Sequence, residues 1–165
     1  MEENYNHKEV EARICRLWEG NNYFTPQVDH SKKPYSIFLV PPNASGAMHI
    51  GNVLMIAIQD ILARYHRLKG QPTLWIPSTD HGGYETQVTF ERELEKVGKD
   101  RFQYHRNELF TEIEKYVERN NESIKSQIRA MGASVDWTRF RYTLDSISLK
   151  AVGQMFRKMV SDKLI

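Results

Sequence analysis

Cysteine occurs once in these 165 residues, as Cys15. A single thiol excludes an internal disulfide framework and any cysteine-rich zinc site, and it fits a reducing compartment. Excess charge is also lacking: 23 basic and 21 acidic side chains leave a net +2 with histidine neutral. The chain as a whole is no polycation, so any nucleic-acid contact must be local. No apolar run approaches the roughly 20 residues that span a bilayer, and the opening MEENYNHKEV has no signal-peptide core. The six histidines, His7, His30, His49, His66, His81 and His105, show no zinc-motif spacing. No Gly-x-Ser-x-Gly elbow occurs, and Cys15 falls in a predicted helix, so nucleophilic catalysis has little support. Repeats and low-complexity tracts are absent. What is present is a globular balance, 40% hydrophobic and 27% charged, with a mean hydropathy of -0.60. That allows a packed core and excludes disorder, collagen and coiled coil. The expectation is one soluble, cytoplasmic domain or a piece of a larger one.

Along the chain, Val10, Ile14, Leu17 and Trp18 have helical spacing, with Asn6 and Glu9 placed as a capping box. A polar connector, Pro26 to Pro34, leads into Tyr35-Ser-Ile-Phe-Leu-Val40, which reads as a buried parallel strand. Pro41-Pro42-Asn43-Ala44-Ser45-Gly46 stops it. A long helix is predicted from about Met48 to Leu68, carrying Leu54, Ile58, Ile61, Leu62 and Tyr65, with Gly70 as its C-terminal cap. Pro72 to Ile76 reads as a second strand and Pro77 to Tyr84 as a loop. Strand, helix and strand form a βαβ unit, in which ligands bind beyond the carboxyl ends of the strands. The loops Pro41–Gly46 and Ser78–Tyr84 should therefore face one crevice. The remainder reads as helices over Glu85–Val97, Asn107–Met131 and a last one after Asp145. Two strands cannot bury both faces of a sheet, so further sheet is expected from residues outside this chain or from a partner. A compact α+β domain with a small sheet is the alternative.

The first loop has the makings of a phosphate site. A helix N-terminus straight after a strand presents free N–H groups and a positive dipole end. Gly46 permits the tight turn, and Ser45 can cap the helix or donate to an oxygen. His49 and Asn52, three apart, project from one side of the first turn, and Gly51 leaves bare backbone for a flat base. In the second loop, Asp80 beside a phosphate cradle is electrostatically odd unless a cation lies between them, an ammonium or Mg²⁺. An Asx turn, in which Asp80 bonds only its own backbone, is the plainer reading of that loop alone.

Together the two loops resemble the class I aminoacyl-tRNA synthetases. Pro41 to Asn52 looks like their first motif, His-x-Gly-His, and the Pro-Pro-Asn-x-(Ser/Thr)-Gly lead-in is the valyl form. Thr79-Asp80-His81, followed by Gly83 and Thr86-Gln87, is similar to the valyl pattern Thr-Asp-His-Ala-Gly-Ile-Ala-Thr-Gln. Arg64-Tyr65-His66-Arg67, Gly70, Gly132-Ala-Ser-Val-Asp-Trp-Thr-Arg139 and Tyr142-Thr-Leu-Asp145 match as well.

The resemblance implies an α/β, Rossmann-type nucleotide-binding domain that activates valine with ATP and Mg²⁺ and passes it to tRNA(Val). The expected layout is an N-terminal helix and connector over 1–34. The first half of the catalytic domain would fill 35–165, with a helical insertion at about 100–132. By motif match, His49 and Asn52 are the catalytic pair, and Ser45, Gly46, His49, Gly51 and Asn52 bind ATP. Asp80 pairs the substrate ammonium with help from the Pro42 carbonyl, while Pro41, Pro42 and Asn43 border the side-chain pocket. No metal is held by the protein itself. The chain departs from the family pattern in several places: Asn52 replaces the second His, Ser78 a Gly, and Tyr84-Glu85 an Ile-Ala pair. A Lys-Met-Ser-Lys-Ser loop, an editing insertion and an anticodon-binding domain do not occur in these residues, so the isolated chain is expected to have little or no activity. A non-catalytic nucleotide-binding or assembly piece, or a synthetase for another aliphatic amino acid, are the alternatives. The basic clusters Arg64/Arg67/Lys69 and Lys125/Arg129/Arg139/Arg141 read as solvated helix faces.

Overall fold

A computed structural model describes residues 5–165. Helix α1 (His7–Gly20) precedes strand β1 (Tyr35–Phe38), helix α2 (Ile50–Leu68) and strand β2 (Thr73–Ile76). Strand β3 (Ser78–Thr79), helices α3 (Tyr84–Lys96) and α4 (Arg106–Ala130), strand β4 (Arg141–Tyr142) and helix α5 (Ser146–Ser161) follow. β1 and β2 pair in parallel, Tyr35 against Thr73 through Phe38 against Ile76, with α2 as the connection between them. The βαβ unit expected from hydropathy is present. α2 ends as its sequence suggests: Gly70, at φ 71°, takes the left-handed turn, and its N–H donates to the Arg67 carbonyl at 2.8 Å.

The main core lies between the strand pair, α2 and α4: Leu39, Ile56, Trp75, Ile124, Ile128 and Val135 are all almost fully buried. Trp75 is its largest member, and its indole N–H, which cannot go unpaired in the interior, donates to Gln59 Oε1 at 3.1 Å. A second cluster, Ala44, Phe90, Leu94, Tyr116 and Val117, joins α3 and α4 to the first loop.

Two expectations need correction. Asn6 precedes α1, but its side chain makes no capping hydrogen bond, so the predicted Asn6–Glu9 box does not form. The segment predicted as a plain loop after Ile76 contains β3, which pairs in parallel with β4: Ser78 against Arg141 and Thr79 against Tyr142. Such two-residue strands carry no periodicity, so no local signal marks them. The apolar residues whose spacing marked α2, Leu54, Ile58, Ile61, Leu62 and Tyr65, are 40–67% exposed, and the helix buries Ile56 and Ala63 instead. α2 is apolar on two sides. Phe38 and Val40 are also half exposed, as are Leu149, Val152, Phe156 and Val160 of α5.

The polar residues of α2 do structural work. Asp60 Oδ1 accepts the Ser134 N–H at 2.9 Å, while Oδ2 pairs with Arg64 at 2.7 Å. Arg64 also donates to the Gly132 carbonyl at 2.8 Å, and Arg67 to the Ser134 carbonyl at 2.8 Å. Burial lowers the Arg67 pKa, opposed by the charges of Asp60 and Asp136. The second basic cluster is likewise engaged: Lys125 lies over Phe140, Arg129 over Trp137 and against Glu19, and Arg139 beside the buried Asp136. No helix among the described residues is long and apolar enough to cross a membrane.

Candidate functional site

Backbone pairing continues past the ends of β1 and β2 and brings the two loops together. The Leu39 N–H donates to the Ile76 carbonyl at 2.9 Å, and the Ser78 hydroxyl to the Leu39 carbonyl at 2.7 Å. Beyond them Asn43 and Asp80 form a parallel bridge: the Asp80 N–H donates to the Pro42 carbonyl at 2.9 Å, and the Ala44 N–H to the Asp80 carbonyl at 2.7 Å. The loops thus meet at one edge, as expected. The Pro42 carbonyl is engaged by the Asp80 amide but keeps a second lone pair.

Helix α4 holds the first loop from behind. The Tyr116 hydroxyl donates to the Ser45 carbonyl at 2.7 Å and Asn120 Nδ2 to the Ala44 carbonyl at 2.9 Å, while Gln127 Oε1 accepts the Met48 N–H at 3.0 Å. Nothing in the sequence marked these three residues, since their partners are backbone atoms some 70–80 positions away. The loop also borders an open groove of about 490 Å³, whose lining includes Ser45, Gly46, Arg92, Glu93, Lys96 and Asn120.

α2 starts two residues later than predicted, and its cap is His49, not Ser45. His49 Nδ1 accepts the Gly51 N–H at 3.0 Å, and Asn52 Oδ1 accepts the His49 N–H at 3.1 Å. A neutral imidazole that accepts on Nδ1 carries its proton on Nε2, and an amide that accepts on Oδ1 keeps both Nδ2 hydrogens free. The reciprocal cap therefore leaves each side chain with a donor in reserve. Gly51 is required by this arrangement, because a Cβ there would lie 2.8 Å from His49 Cε1. Gly51→Ala is expected to displace the imidazole, remove the cap and cost about 1 kcal/mol of stability, read as a lowered denaturation midpoint. His49→Ala should make it no worse, since both changes remove the same bond.

Asp80, about one-third exposed, concentrates its contacts on one oxygen. Oδ1 accepts the Thr143 hydroxyl at 3.1 Å and the Gly82 N–H at 3.2 Å, and lies 3.1 Å from His81 Nδ1. The Asx turn is real, but it uses only Oδ1; among the described residues Oδ2 accepts no hydrogen bond. Thr143 Oγ1 also accepts the His81 N–H at 2.9 Å, so the missed β3–β4 pair fixes this loop. The Tyr142 phenol is raised above its usual pKa, first by burial and then by the charge of Asp80.

Gly82 sits at φ 66°, and a Cβ there would come within 2.6 Å of Thr86 Oγ1, which donates to the His81 carbonyl at 2.6 Å. Gly82→Ala combines left-handed strain with that collision. About 1–3 kcal/mol of destabilisation is expected, measured by denaturant titration; an unchanged midpoint would contradict it.

The Tyr84-Glu85 departure from the family pattern resolves into two parts. Tyr84 is 82% exposed and turned to solvent, so its phenol does not fill the site. Glu85 does engage it: Oε2 accepts Asn43 Nδ2 at 2.6 Å and Oε1 the Ser45 hydroxyl at 3.3 Å. No group of three or more His, Cys, Asp or Glu side chains suited to a metal occurs among the described residues.

The model of the family "tRNA synthetases class I (I, L, M and V)" matches residues 13–165. The chain belongs to the class I tRNA synthetases. The synthetase chain is similar to valine–tRNA ligases. It is 39% identical to that of Treponema denticola, over 100% of this chain and 18% of the relative. It is 41% identical to that of Psychrobacter arcticus, over 100% and 17%, and 43% identical to that of Fervidobacterium nodosum, over 98% and 18%. It therefore spans less than a fifth of the length of these relatives. Its fold resembles that of LeuRS in the solved LeuRS–tRNA–LeuAMS ternary complex of Agrobacterium radiobacter K84. The TM-score is 0.79 at 20% identity, covering 98% of this chain and 19% of that one. The mixed helical and parallel-strand architecture is that of a class I Rossmann-type domain.

Proposed function

We propose that this synthetase chain forms the opening part of the catalytic domain of a valine–tRNA ligase, in the cytoplasm, and carries its amino-acid site and part of its ATP site. The observation that carries the reading is the Asn43–Asp80 bridge, which sets a carboxylate with one uncommitted oxygen against the loop that leads into α2. Valine brings an ammonium, and Asp80 Oδ2 is the group that pairs it, with the Pro42 carbonyl beside it. Pro41, Pro42 and Asn43 border the place for the small side chain.

The triphosphate fits the start of α2. Its donors there are His49 Nε2, Asn52 Nδ2 and the helix N-terminus, with Ser45 and Gly46 shaping the approach and exposed Gly51 giving the adenine bare backbone. The valine carboxylate attacks the α-phosphorus, forming the acyl–phosphate bond as the bond to pyrophosphate breaks; a terminal ribose hydroxyl of tRNA(Val) then takes the aminoacyl group as the acyl–phosphate bond breaks and AMP leaves. Mg²⁺, carried with ATP, supplies charge neutralisation on the phosphates. The chain's residues position and stabilise charge, which is what phosphoryl transfer asks of a protein.

The exposed apolar surface of β1 and α2 is, on this reading, the seat of the remaining catalytic domain. ATP–pyrophosphate exchange tests the reading. The 165-residue chain alone should give little or none, and addition of the remaining synthetase segment from a relative should restore valine-dependent exchange. Robust exchange by the chain alone, or exchange driven by a different amino acid, would count against it. A non-catalytic binding piece is favoured by one observation, that Asn52 cannot become cationic as the family's second histidine can; complementation without any gain in exchange would support it.

A further inference from the structure

A hollow of about 440 Å³ lies between the start of α3, helix α4 and the segment around β4. Neither Asp80 nor any residue of the Pro41–Asn52 stretch lines it. Its apolar lining comes from Ile113 and Val117 of α4 together with Phe140, Tyr142 and Leu144, and its volume is of the order that small organic ligands occupy. Three carboxylates share the lining: Glu114, Glu118 and Glu122, four residues apart and so on one side of α4. Like charges at that spacing oppose the helix. Of the three, only Glu122 has an ion-pair partner among the described residues, Lys125 at 2.7 Å. Lys125 is the one Lys or Arg in the lining, and it also lies over Phe140. Asn121, between the glutamates, is 9% exposed, and its Oδ1 is buried with no hydrogen-bond partner among the described residues. An orphaned amide oxygen is costly, and what it lacks is a donor. Tyr142, across the hollow's lining, is raised above its usual pKa by burial first, then by the charges of Asp80 and Glu114.

We propose that this hollow is a binding site for a small organic amine with an apolar tail. The tail lies against Val117, Phe140 and Tyr142, the ammonium faces Glu114 and Glu118, and one of its hydrogens goes to Asn121 Oδ1. Each feature of the hollow asks for part of that ligand: the apolar lining for the tail, the uncompensated glutamates for the charge, the orphaned oxygen for the N–H. An anion of the same shape meets two unpaired carboxylates and is rejected. The site stands or falls independently of the amino-acid role given to Asp80.

The test is a titration of the full chain followed by nuclear magnetic resonance, with phenethylamine as the probe and hydrocinnamate, which carries a carboxylate in place of the ammonium, as the comparison. Phenethylamine should move the backbone amide signals of Val117 and Tyr142 and the side-chain amide signals of Asn121, and hydrocinnamate should leave them where they are. Glu114 and Glu118 are exposed, so the double variant Glu114→Gln/Glu118→Gln keeps the fold and loses only charge. It should bind the amine about tenfold more weakly, or worse. Three results would overturn the proposal. No response, or an equal response to both probes, would leave no charge-selective site. Unchanged affinity in the double variant would remove the glutamates from it. Shifts centred on Asn43 and Asp80 would put the amine at the other loop.

Discussion

Trp75→Ala should unfold a large fraction of the molecules. The side chain is fully buried at the centre of the main core, faces Ile37 across the β1–β2 ladder, and ties α2 to the sheet through Gln59. Removing a buried tryptophan forfeits its transfer free energy and leaves a cavity that the rigid strand pair cannot collapse, a loss of about 3–5 kcal/mol. Against a typical total of about 5–15 kcal/mol, that is a large part of the stability. The measurement is a denaturant titration followed by circular dichroism. Trp137→Ala serves as the comparison, since that indole packs at the edge of the core and should cost much less. Equal losses in the two variants would mean that Trp75 is not the keystone of the strand pair.

Asp80→Asn carries the largest expected effect on function. Asn retains an oxygen for the Gly82 N–H and the Thr143 hydroxyl, so the loop keeps its shape and only the charge is lost. If Asp80 pairs the valine ammonium as proposed, a charge-assisted hydrogen bond worth about 1.5–3 kcal/mol is lost, which corresponds to a ten- to hundredfold rise in the KM for valine. The assay is pyrophosphate exchange in the completed enzyme, with ATP affinity in the absence of amino acid as the control. A parallel loss of ATP affinity would show that Asp80 acts on the loop as a whole and not on the ammonium. Gly82→Ala distinguishes the cases further, because it perturbs the backbone of the same turn without touching the charge.

The helices and the parallel strand pair were legible because their apolar spacing is a local property. The Tyr35–Phe38 and Thr73–Ile76 runs are too apolar and β-branched for loops, and the 19 residues between 50 and 68 are periodic throughout. The direction in which α2 presents its apolar residues was not legible. Ile56 and Ala63 on one side and Leu54, Ile58 and Ile61 on another have equal claims from spacing, and only the position of β2 and α4 decides which side is buried. The β3–β4 pair was hidden for a related reason: two residues cannot show a period, and their partners lie more than sixty positions apart.

The candidate site divides along the same line. Sequence alone supplied the candidates, because Pro41 to Asn52 and Thr79 to Gln87 resemble motifs of the class I tRNA synthetases. Tertiary structure decided how those groups are used. It turned His49 and Asn52 into each other's caps, left Asp80 one free oxygen, and brought Glu85 across more than forty residues of chain to Asn43. Hydrogen bonds of this kind depend on distance in space, and separation along a chain says nothing about distance in space until packing has folded it.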